Sequence, residues 1–174
     1  NPLNKKEILN MSKKKINKIF KKKDSLKIIN IGRLVDQKNQ ILLLKVLNSL
    51  KKIVNFKLII IGNGKYKKSL ENFAKKNNIF NSIKIINYTK NPYPYIKSSD
   101  IMIHTAKYEG LPNVLLETQL LKKLIISSNC PTGPQEILCN GKAGILFKNN
   151  NNIDLKKKII LYLKNKNRLK QKIE

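Results

Sequence analysis

Short apolar runs recur along the chain, and each is followed by a more polar stretch with apolar residues at roughly helical spacing. The runs are almost continuously hydrophobic rather than alternating, which is typical of strands that are buried on both faces of a sheet. Their lengths suit strands, and the stretches between them are long enough for helices. The pattern predicts six strands, at residues 26–31, 56–61, 83–86, 101–103, 124–127 and 144–147.

The stretches between the strands predict helices at residues 41–53, 66–76, 112–121 and 154–169. Strands that alternate with helices at this pitch predict an α/β fold, a Rossmann-like doubly wound sheet of parallel strands. A chain of 174 residues can bury one core of this kind. The first 20 residues are predicted to form a lysine-rich amphipathic helix that packs outside this unit or joins another domain.

The polar residues of interest follow the predicted strands directly. In open parallel sheets, ligands bind beyond the carboxyl ends of the strands, where the chain turns into helices. Glycines, cations and acids occupy these turns, so we expect them to meet at one rim of the sheet. The turns concerned are residues 32–39, 62–64, 104–110 and 129–136.

Two carboxylates, Glu109 and Glu117, bracket the beginning of one predicted helix. Pro112 suits a first helical position, since its missing N–H is not needed there. A helix N-terminus attracts phosphate, and carboxylates beside it are strong acceptors for sugar hydroxyls. A solvated glutamate followed by a helix-stabilising one explains the same pair, and the pair alone does not decide between these interpretations.

A formal net charge of +27 is typical of proteins that bind nucleic acids or membranes. Nearly all of this charge is lysine that is spread along the chain, because arginine occurs only at Arg33 and Arg168. The densest lysine cluster, at residues 13–23, is predicted to lie on a surface helix. We therefore favour solvated lysine over a dedicated nucleic-acid face, and we expect a salt-screened attraction to anionic membranes.

The cysteines, the single histidine and the lengths of the apolar runs limit the possible metal sites and membrane spans. Cys130 and Cys139 form no metal-binding spacing, and with His104 as the only histidine a zinc site is not expected. They are predicted to be free thiols in a reducing compartment. No apolar run reaches the length of a membrane span, and no signal peptide is recognised. These features predict a cytoplasmic protein that binds no metal.

Five landmarks in order resemble the C-terminal, donor-binding domain of GT-B glycosyltransferases, specifically glycosyltransferase family 4. The strand exit 32–39 resembles that family's phosphate-binding turn, and residues 62–64 resemble its glycine pair. The segment 99–117 is similar to its signature region, with an acid pair separated by seven residues. Residues 131–137 resemble a form common in transferases that build bacterial surface polysaccharides. The resemblance covers about residues 25–165 and implies one half of a GT-B fold.

The resemblance implies a retaining transfer of a sugar, hexosyl or N-acetylhexosaminyl, from a nucleotide diphosphosugar, UDP-linked by expectation, to an acceptor hydroxyl. Arg33 and Lys38 would hold the diphosphate, whose growing charge a guanidinium and an ammonium can stabilise without a metal. Glu109 would contact donor-sugar hydroxyls near the reacting carbon as the catalytic residue, and Glu117 would accept from the ribose. The remaining substrate-binding residues would be Gly32, Gly62, Tyr88, Thr89, Gly110, Leu111, Pro112 and Asn113.

Some positions depart from the family pattern or are ambiguous. Asn87 stands where a glycine is usual, and His104 and Thr105 stand where a proline and a serine are frequent. A structural role for His104 at a strand end is favoured over that of a general base. Gly133 is predicted to shape the loop near the donor, as is Glu136, for which helix capping is the alternative. Tyr93 and Tyr95 are predicted to pack within a proline-rich turn.

The resemblance also implies a domain organisation. Residues 1–22 would be a linker and helix from the interdomain hinge, and residues 23–174 the nucleotide-sugar-binding domain. The acceptor, a glycan or lipid-linked sugar, would bind through a missing N-terminal domain at the inner face of the cell membrane. Two rival functions stay open at this stage, a basic nucleic-acid-binding module and an inactive truncated remnant.

Overall fold

A computed structural model describes residues 3–16, 20 and 26–170, and within them six parallel strands form one sheet. The order of the strands across the sheet is β3-β2-β1-β4-β5-β6. Each of the six lies where the hydrophobic runs predicted it, within two residues at either end. Their bounds are β1 Leu26–Ile31, β2 Phe56–Ile61, β3 Ile83–Ile86, β4 Ile101–His104, β5 Leu124–Asn129 and β6 Ile145–Lys148.

Helices connect the strands and cover both faces of the sheet. The four helices predicted between strands are present, although the last of them is interrupted at Asn165. Two short helices, at Tyr93–Ser98 and Pro134–Ile137, were not predicted. The helices are α1 Lys5–Met11, α2 Gln40–Leu50, α3 Lys67–Lys76, α4 Tyr93–Ser98, α5 Asn113–Leu120, α6 Pro134–Ile137, α7 Asn152–Lys164 and α8 Lys166–Lys170.

Successive residues of the central strands enter two separate apolar layers. Ile28 on β1 packs in the layer that also holds residues of α2 and α7, whereas its neighbour Ile29 packs in the layer beneath α4 and α5. Both side chains are fully buried. Side chains of a strand alternate between the faces of a sheet, so a strand covered on both faces needs a continuous apolar run. The predicted Rossmann-like doubly wound fold is confirmed.

The order of the strands reverses between β1 and β4, which are neighbours although two strands intervene in sequence. Their pairing is short, with Ile28 opposite Ile101 and Ile29 opposite Met102. Beyond this register the buried Asn30 side chain bridges the two strands, because its Nδ2 donates a hydrogen bond of 2.7 Å to the Ile103 carbonyl. Such a reversal opens a crevice at the carboxyl ends of the strands.

The amino-terminal helix is shorter than predicted. It begins at Lys5 and ends at Met11, and the lysines at 13 and 14 lie in the turn that follows it. Ile8 on α1 is buried with Phe20 in the layer beneath α4 and α5. Residues 1–2, 17–19 and 21–25 lie outside the described residues, as do the predicted boundary at 22/23 and the lysines of the cluster at 18 and 21–23. No helix in the described ranges is long and apolar enough to cross a membrane.

Candidate functional site

A cleft of about 740 Å³ opens at the carboxyl ends of β1, β2, β3 and β4. It gathers the predicted site residues from four separate turns, and Gly110 alone of that set does not line it. Ligand pockets of small molecules fall in this size range. The lining residues are Ile31, Gly32, Arg33, Gln37, Lys38, Ile61, Gly62, Asn63, Tyr88, Thr89, Lys90, Pro92, Tyr93, Glu109, Leu111, Pro112, Asn113, Val114 and Glu117.

The glycines at the floor of the cleft allow two strand exits to approach each other closely. Gly62 has φ +158°, and a Cβ at this position would lie 2.0 Å from the Gly32 carbonyl oxygen. The Gly32 N–H in turn donates a hydrogen bond of 3.0 Å to the Ile61 carbonyl. Only glycine fits such a contact, so the backbone itself forms this part of the wall.

Lys38 reaches the cleft from a short 3₁₀ turn at Asp36–Lys38. Asn39 follows in the left-handed region at φ 49° and redirects the chain into α2, a conformation that asparagine tolerates. The stem of Lys38 passes over Gly32, where a Cβ would lie 3.3 Å from both Cδ and Cε of the lysine. The Thr105 hydroxyl donates to the Lys38 carbonyl at 2.9 Å and fixes the turn against the loop after β4.

Arg33 lies beside Lys38 in the lining of the cleft. Its backbone is held because its carbonyl accepts hydrogen bonds of 3.0 Å from both Gln40 Nε2 and the Val35 N–H. No carboxylate in the described part of the chain lies within ion-pair distance of its guanidinium. A guanidinium without a carboxylate partner among the described residues is available for a bidentate contact with a phosphate or carboxylate ligand.

Glu109 lines the same cleft and contacts Lys38, and its side chain is only 8% exposed. One carboxylate oxygen, Oε1, pairs with Lys38 Nζ and also lies 3.0 Å from His104 Nε2. Burial would raise the pKa of the Glu109 carboxyl, but the hydrogen bonds from His104 and Lys38 and the lysine charge outweigh it. The net effect is a lowered pKa, so Glu109 is held as a carboxylate.

Glu117 enters the same cleft from α5, after Pro112 and Asn113. The helix begins at Asn113 rather than at Pro112, which precedes it with φ −76° and ψ 86°, outside the helical region. Burial raises the pKa of Glu117, and a hydrogen bond from Tyr93, whose Oη lies 3.5 Å away, opposes this only in part. The two acids therefore differ in character, because Glu109 is charge-paired and Glu117 is desolvated.

The turn after β3 forms the other side of the cleft. The Tyr88 backbone N–H donates to Asn63 Oδ1 at 3.1 Å, while the Tyr88 ring is 69% exposed. Thr89 Oγ1 accepts from the Asn91 N–H at 3.2 Å, which tightens the turn. Asn63 therefore braces this wall, and it was missing from the predicted set although it stands between Gly62 and Gly64.

Several other lining residues were absent from the predicted set as well. Gln37, Tyr93 and Val114 face the cleft, and Gln37 also donates from Nε2 to the Tyr108 carbonyl at 2.9 Å. Tyr93 was predicted to lie in a turn, but it begins α4. The proximity of Gln37 to Lys38 was the available signal, whereas no local pattern indicates the inward direction of Val114.

The loop after β5 supports Glu109 from outside the cleft. The Thr132 hydroxyl donates to the Glu109 carbonyl. Gly133 has φ +77°, and a Cβ on it would lie 2.2 Å from the Gly110 carbonyl oxygen and 2.6 Å from Pro112 Cδ. Gly133 thus allows the two loops to touch, and it places Gly110 against this brace rather than in the lining. Glu136 lies in the first turn of α6.

The arrangement of possible metal ligands was compared with what a metal site needs. Within the described ranges, no three His, Cys, Asp or Glu side chains cluster closely enough to hold a metal ion. Cys130 is buried and Cys139 is exposed, and both are free thiols. The charged residues that line the cleft are Arg33, Lys38, Lys90, Glu109 and Glu117.

Comparison with known proteins places this geometry among glycosyltransferases. A glycosyltransferase of Methanocaldococcus jannaschii, uncharacterised, is 40% identical over 140 residues, which cover 72% of this chain and 34% of that protein. The capsular polysaccharide biosynthesis glycosyltransferase CapH of Staphylococcus aureus is 36% identical over 118 residues, 66% of this chain and 33% of CapH. The chain thus spans about a third of the length of these relatives.

A solved structure shares the fold. The crystal structure of Anabaena HepE in complex with UDP superposes with a TM-score of 0.79 at 18% identity, over 86% of this chain and 42% of HepE. The family model described as glycosyl transferases group 1 matches residues 11–174 of this chain. A match over this much of the sequence, together with the relative at 40% identity, settles the family. The chain belongs to the group 1 glycosyltransferases.

Proposed function

We propose that this chain is the donor-binding domain of a retaining glycosyltransferase of family 4. Its cleft takes a nucleotide diphosphosugar, with uridine as the nucleoside, and the enzyme passes the sugar to an acceptor hydroxyl. The observation that carries the proposal is that two cations, Arg33 and Lys38, and two carboxylates, Glu109 and Glu117, line one cleft at the strand reversal. The complex of HepE with UDP supports a uridine donor.

Arg33 and Lys38 bind the diphosphate of the donor. Charge develops on the leaving nucleoside diphosphate as the bond between its oxygen and the anomeric carbon breaks. Arg33 offers a planar fork of donors and Lys38 a point charge, and both stabilise that charge without a metal. The beginning of α5, at Asn113, adds backbone N–H groups that have no partner within the helix.

Glu109 and Glu117 accept hydrogen bonds from hydroxyl groups of the donor. Glu109 receives the donor sugar, because one of its oxygens is engaged by Lys38 and His104 and the other remains as an acceptor. Glu117 accepts from the ribose hydroxyls. The base lies against the turn at Tyr88 and Thr89, which forms the wall opposite the phosphate side.

The acceptor side is proposed to lie on a further, N-terminal domain, since this chain spans only 34% and 33% of two relatives. The role of CapH in capsular polysaccharide biosynthesis supports a growing surface polysaccharide or lipid-linked glycan as the acceptor. Such an acceptor and the net charge of +27 favour a cytoplasmic protein at the inner face of the membrane. The isolated chain then binds the donor without transferring it.

Calorimetric titration of the chain with UDP, UMP and GDP tests the proposal. We expect UDP to bind more tightly than UMP, because the second phosphate meets Arg33 and Lys38. Arg33→Ala should weaken UDP about tenfold or more, given about 1.5–3 kcal/mol for a hydrogen bond to a charged group. The chain's other arginine gives the matched control, since Arg168 lies exposed on α8 and Arg168→Ala should leave UDP affinity unchanged.

Equal affinities for UDP and UMP, or equal effects of the two arginine variants, would contradict a diphosphate site in this cleft. Tighter binding of GDP than of UDP would keep the transferase and reject uridine as the donor base.

A further inference from the structure

His104 ends β4 and is almost completely buried, with 3% of its side chain exposed. It does not line the cleft, so it cannot take a proton from a bound ligand directly. It lies instead behind Glu109, between this acid and the buried Ser127 on β5. A histidine in this place can act on the cleft only through Glu109.

The hydrogen bonds restrict which nitrogens of His104 carry hydrogen. Nε2 lies 3.0 Å from Glu109 Oε1, and Nδ1 lies 3.1 Å from Ser127 Oγ. A carboxylate only accepts, so Nε2 must donate. The Ser127 hydroxyl can either donate to Nδ1 or accept from it, since the Ser128 carbonyl offers the hydroxyl another acceptor at 3.1 Å. The neutral tautomer with hydrogen on Nδ1 alone is excluded.

Lys38 and His104 hold the same oxygen of Glu109, but they differ in freedom. Lys38 is a long side chain that is partly exposed, at 17%, and faces the cleft beside Arg33. A diphosphate in the cleft competes with Glu109 for its ammonium. His104 stands on a strand of the central sheet, is enclosed, and has its second nitrogen tied to β5. It has no route to a ligand, and its contact with Glu109 survives the departure of Lys38.

We propose that His104 is a positioning residue which holds Glu109 Oε1 while Lys38 turns to the diphosphate, and so presents Oε2 to the donor sugar. The inference rests on the proposed function of the cleft. Within the described residues, no group hydrogen-bonds Oε2. Without His104, the carboxylate would lose its last fixed partner at the moment when the ligand arrives.

The protein offers two direct measurements. His104 is the only histidine in the sequence, so ¹⁵N-histidine labelling reports its nitrogens without assignment. The pKa of Glu109 can be followed by carboxyl ¹³C NMR, with Glu109→Gln to assign its signal. Lys38→Met imitates the departure of the lysine without any ligand. His104→Leu removes the donor at Nε2, and His104→Gln supplies an N–H of similar reach.

We expect hydrogen on Nε2 in the wild type and in Lys38→Met, and its retention when UDP saturates the wild type. The pKa of Glu109 should be higher in His104→Leu than in the wild type and should return downward in His104→Gln, because one of the two groups that hold Oε1 is lost and then replaced. An unchanged pKa of Glu109 in His104→Leu overturns the inference, as does loss of the Nε2 hydrogen in Lys38→Met. So does loss of the Nε2 hydrogen when UDP binds.

The experiments distinguish failure of the proposed donor-binding function from failure of the positioning role of His104. If UDP does not bind the wild type, the proposed function falls, while the Nε2 hydrogen in Lys38→Met and the pKa of Glu109 in the histidine variants still decide whether His104 holds this carboxylate. If UDP binds and the Nε2 hydrogen is lost, the donor site stands and the positioning role falls. Should His104→Leu not fold, the wild-type and Lys38→Met spectra are sufficient for the decision.

Discussion

Glu109 and Glu117 face the same cleft, yet their surroundings move their pKa values in opposite directions. Burial acts on both, but only Glu109 has the cationic and histidine partners that outweigh it. A lowered folded-state pKa means that ionised Glu109 stabilises the fold. A raised one means that ionised Glu117 costs stability. The ionised form of Glu117 is thus held at a cost to stability that the Tyr93 hydrogen bond offsets only in part.

Neutral variants of the two acids should therefore respond to pH with opposite signs. Glu109→Gln should lower the free energy of unfolding at neutral pH by about 1–3 kcal/mol, the value of hydrogen bonds to a charged group. That deficit should vanish as pH falls below the ordinary pKa and through the lowered folded-state pKa. Glu117→Gln should be more stable than wild type above the raised pKa, and the advantage should fade as pH falls through it. Urea unfolding between pH 3 and about pH 7 measures both.

The glycines of the site differ in how much they tolerate a side chain. Gly62→Ala should cost several kcal/mol, because its Cβ would lie 2.0 Å from the Gly32 carbonyl, a contact that requires the backbone to move. Gly110→Ala is the control, since nothing lies within 4 Å of a Cβ there. Thermal unfolding of both variants gives the comparison. Equal losses would mean that the two strand exits do not touch in solution.

The sequence alone could identify Arg33, Lys38, Glu109 and Glu117, because each follows a strand whose end is predictable. It could not predict that Lys38 pairs with Glu109, 71 residues later, or that His104 stands behind the acid. Those contacts depend on the spacing of β1 and β4 and on side-chain direction, which no local pattern records. Whether each of the four contacts substrate stays a prediction.

At the level of elements, the strands were predicted closely and the helices less well. A strand buried on both faces, such as β2, begins and ends where its apolar run does. Helix ends depend on capping and packing instead, so α2 stops at Leu50 while its apolar pattern continues to Ile53. The two prolines, Pro92 and Pro94, predict a turn, but they stand at the beginning of helix α4, where proline is tolerated.

The junction of β1 and β4 offers a test at this level. Asn30→Ala removes the buried hydrogen bond to the Ile103 carbonyl and leaves that acceptor unsatisfied, which should cost about 1–3 kcal/mol. Since the bridge closes the strand reversal below the cleft, UDP affinity should fall as well. Asn152→Ala, on an exposed residue at the start of α7, is the matched control in denaturant unfolding and titration. Unchanged stability of Asn30→Ala would mean that the register of the two strands needs no side-chain bridge.

For the whole molecule, the positive charge should act on ligands at a distance. Raising the salt concentration from about 0.1 M to about 1 M shortens the screening length from about 10 Å to about 3 Å. We expect UDP binding to weaken several-fold over this range, while binding of uncharged uridine stays constant. Calorimetry at the two salt concentrations measures both ligands. An equal response of UDP and uridine would show that the net charge of +27 has no role in donor capture.

The passage of Lys38 over Gly32 also limits the order in which mutations can accumulate. A Cβ at position 32 would lie 3.3 Å from the methylenes of the lysine, so that Lys38 must shift slightly for alanine and further for a larger side chain. Loss of Lys38, by contrast, would open room for larger residues at position 32. A lineage that loses the lysine first can fill that room, and it cannot then regain Lys38 without first restoring the glycine. Loss of Lys38 is therefore reached by mutation more easily than its recovery, which first requires glycine at position 32.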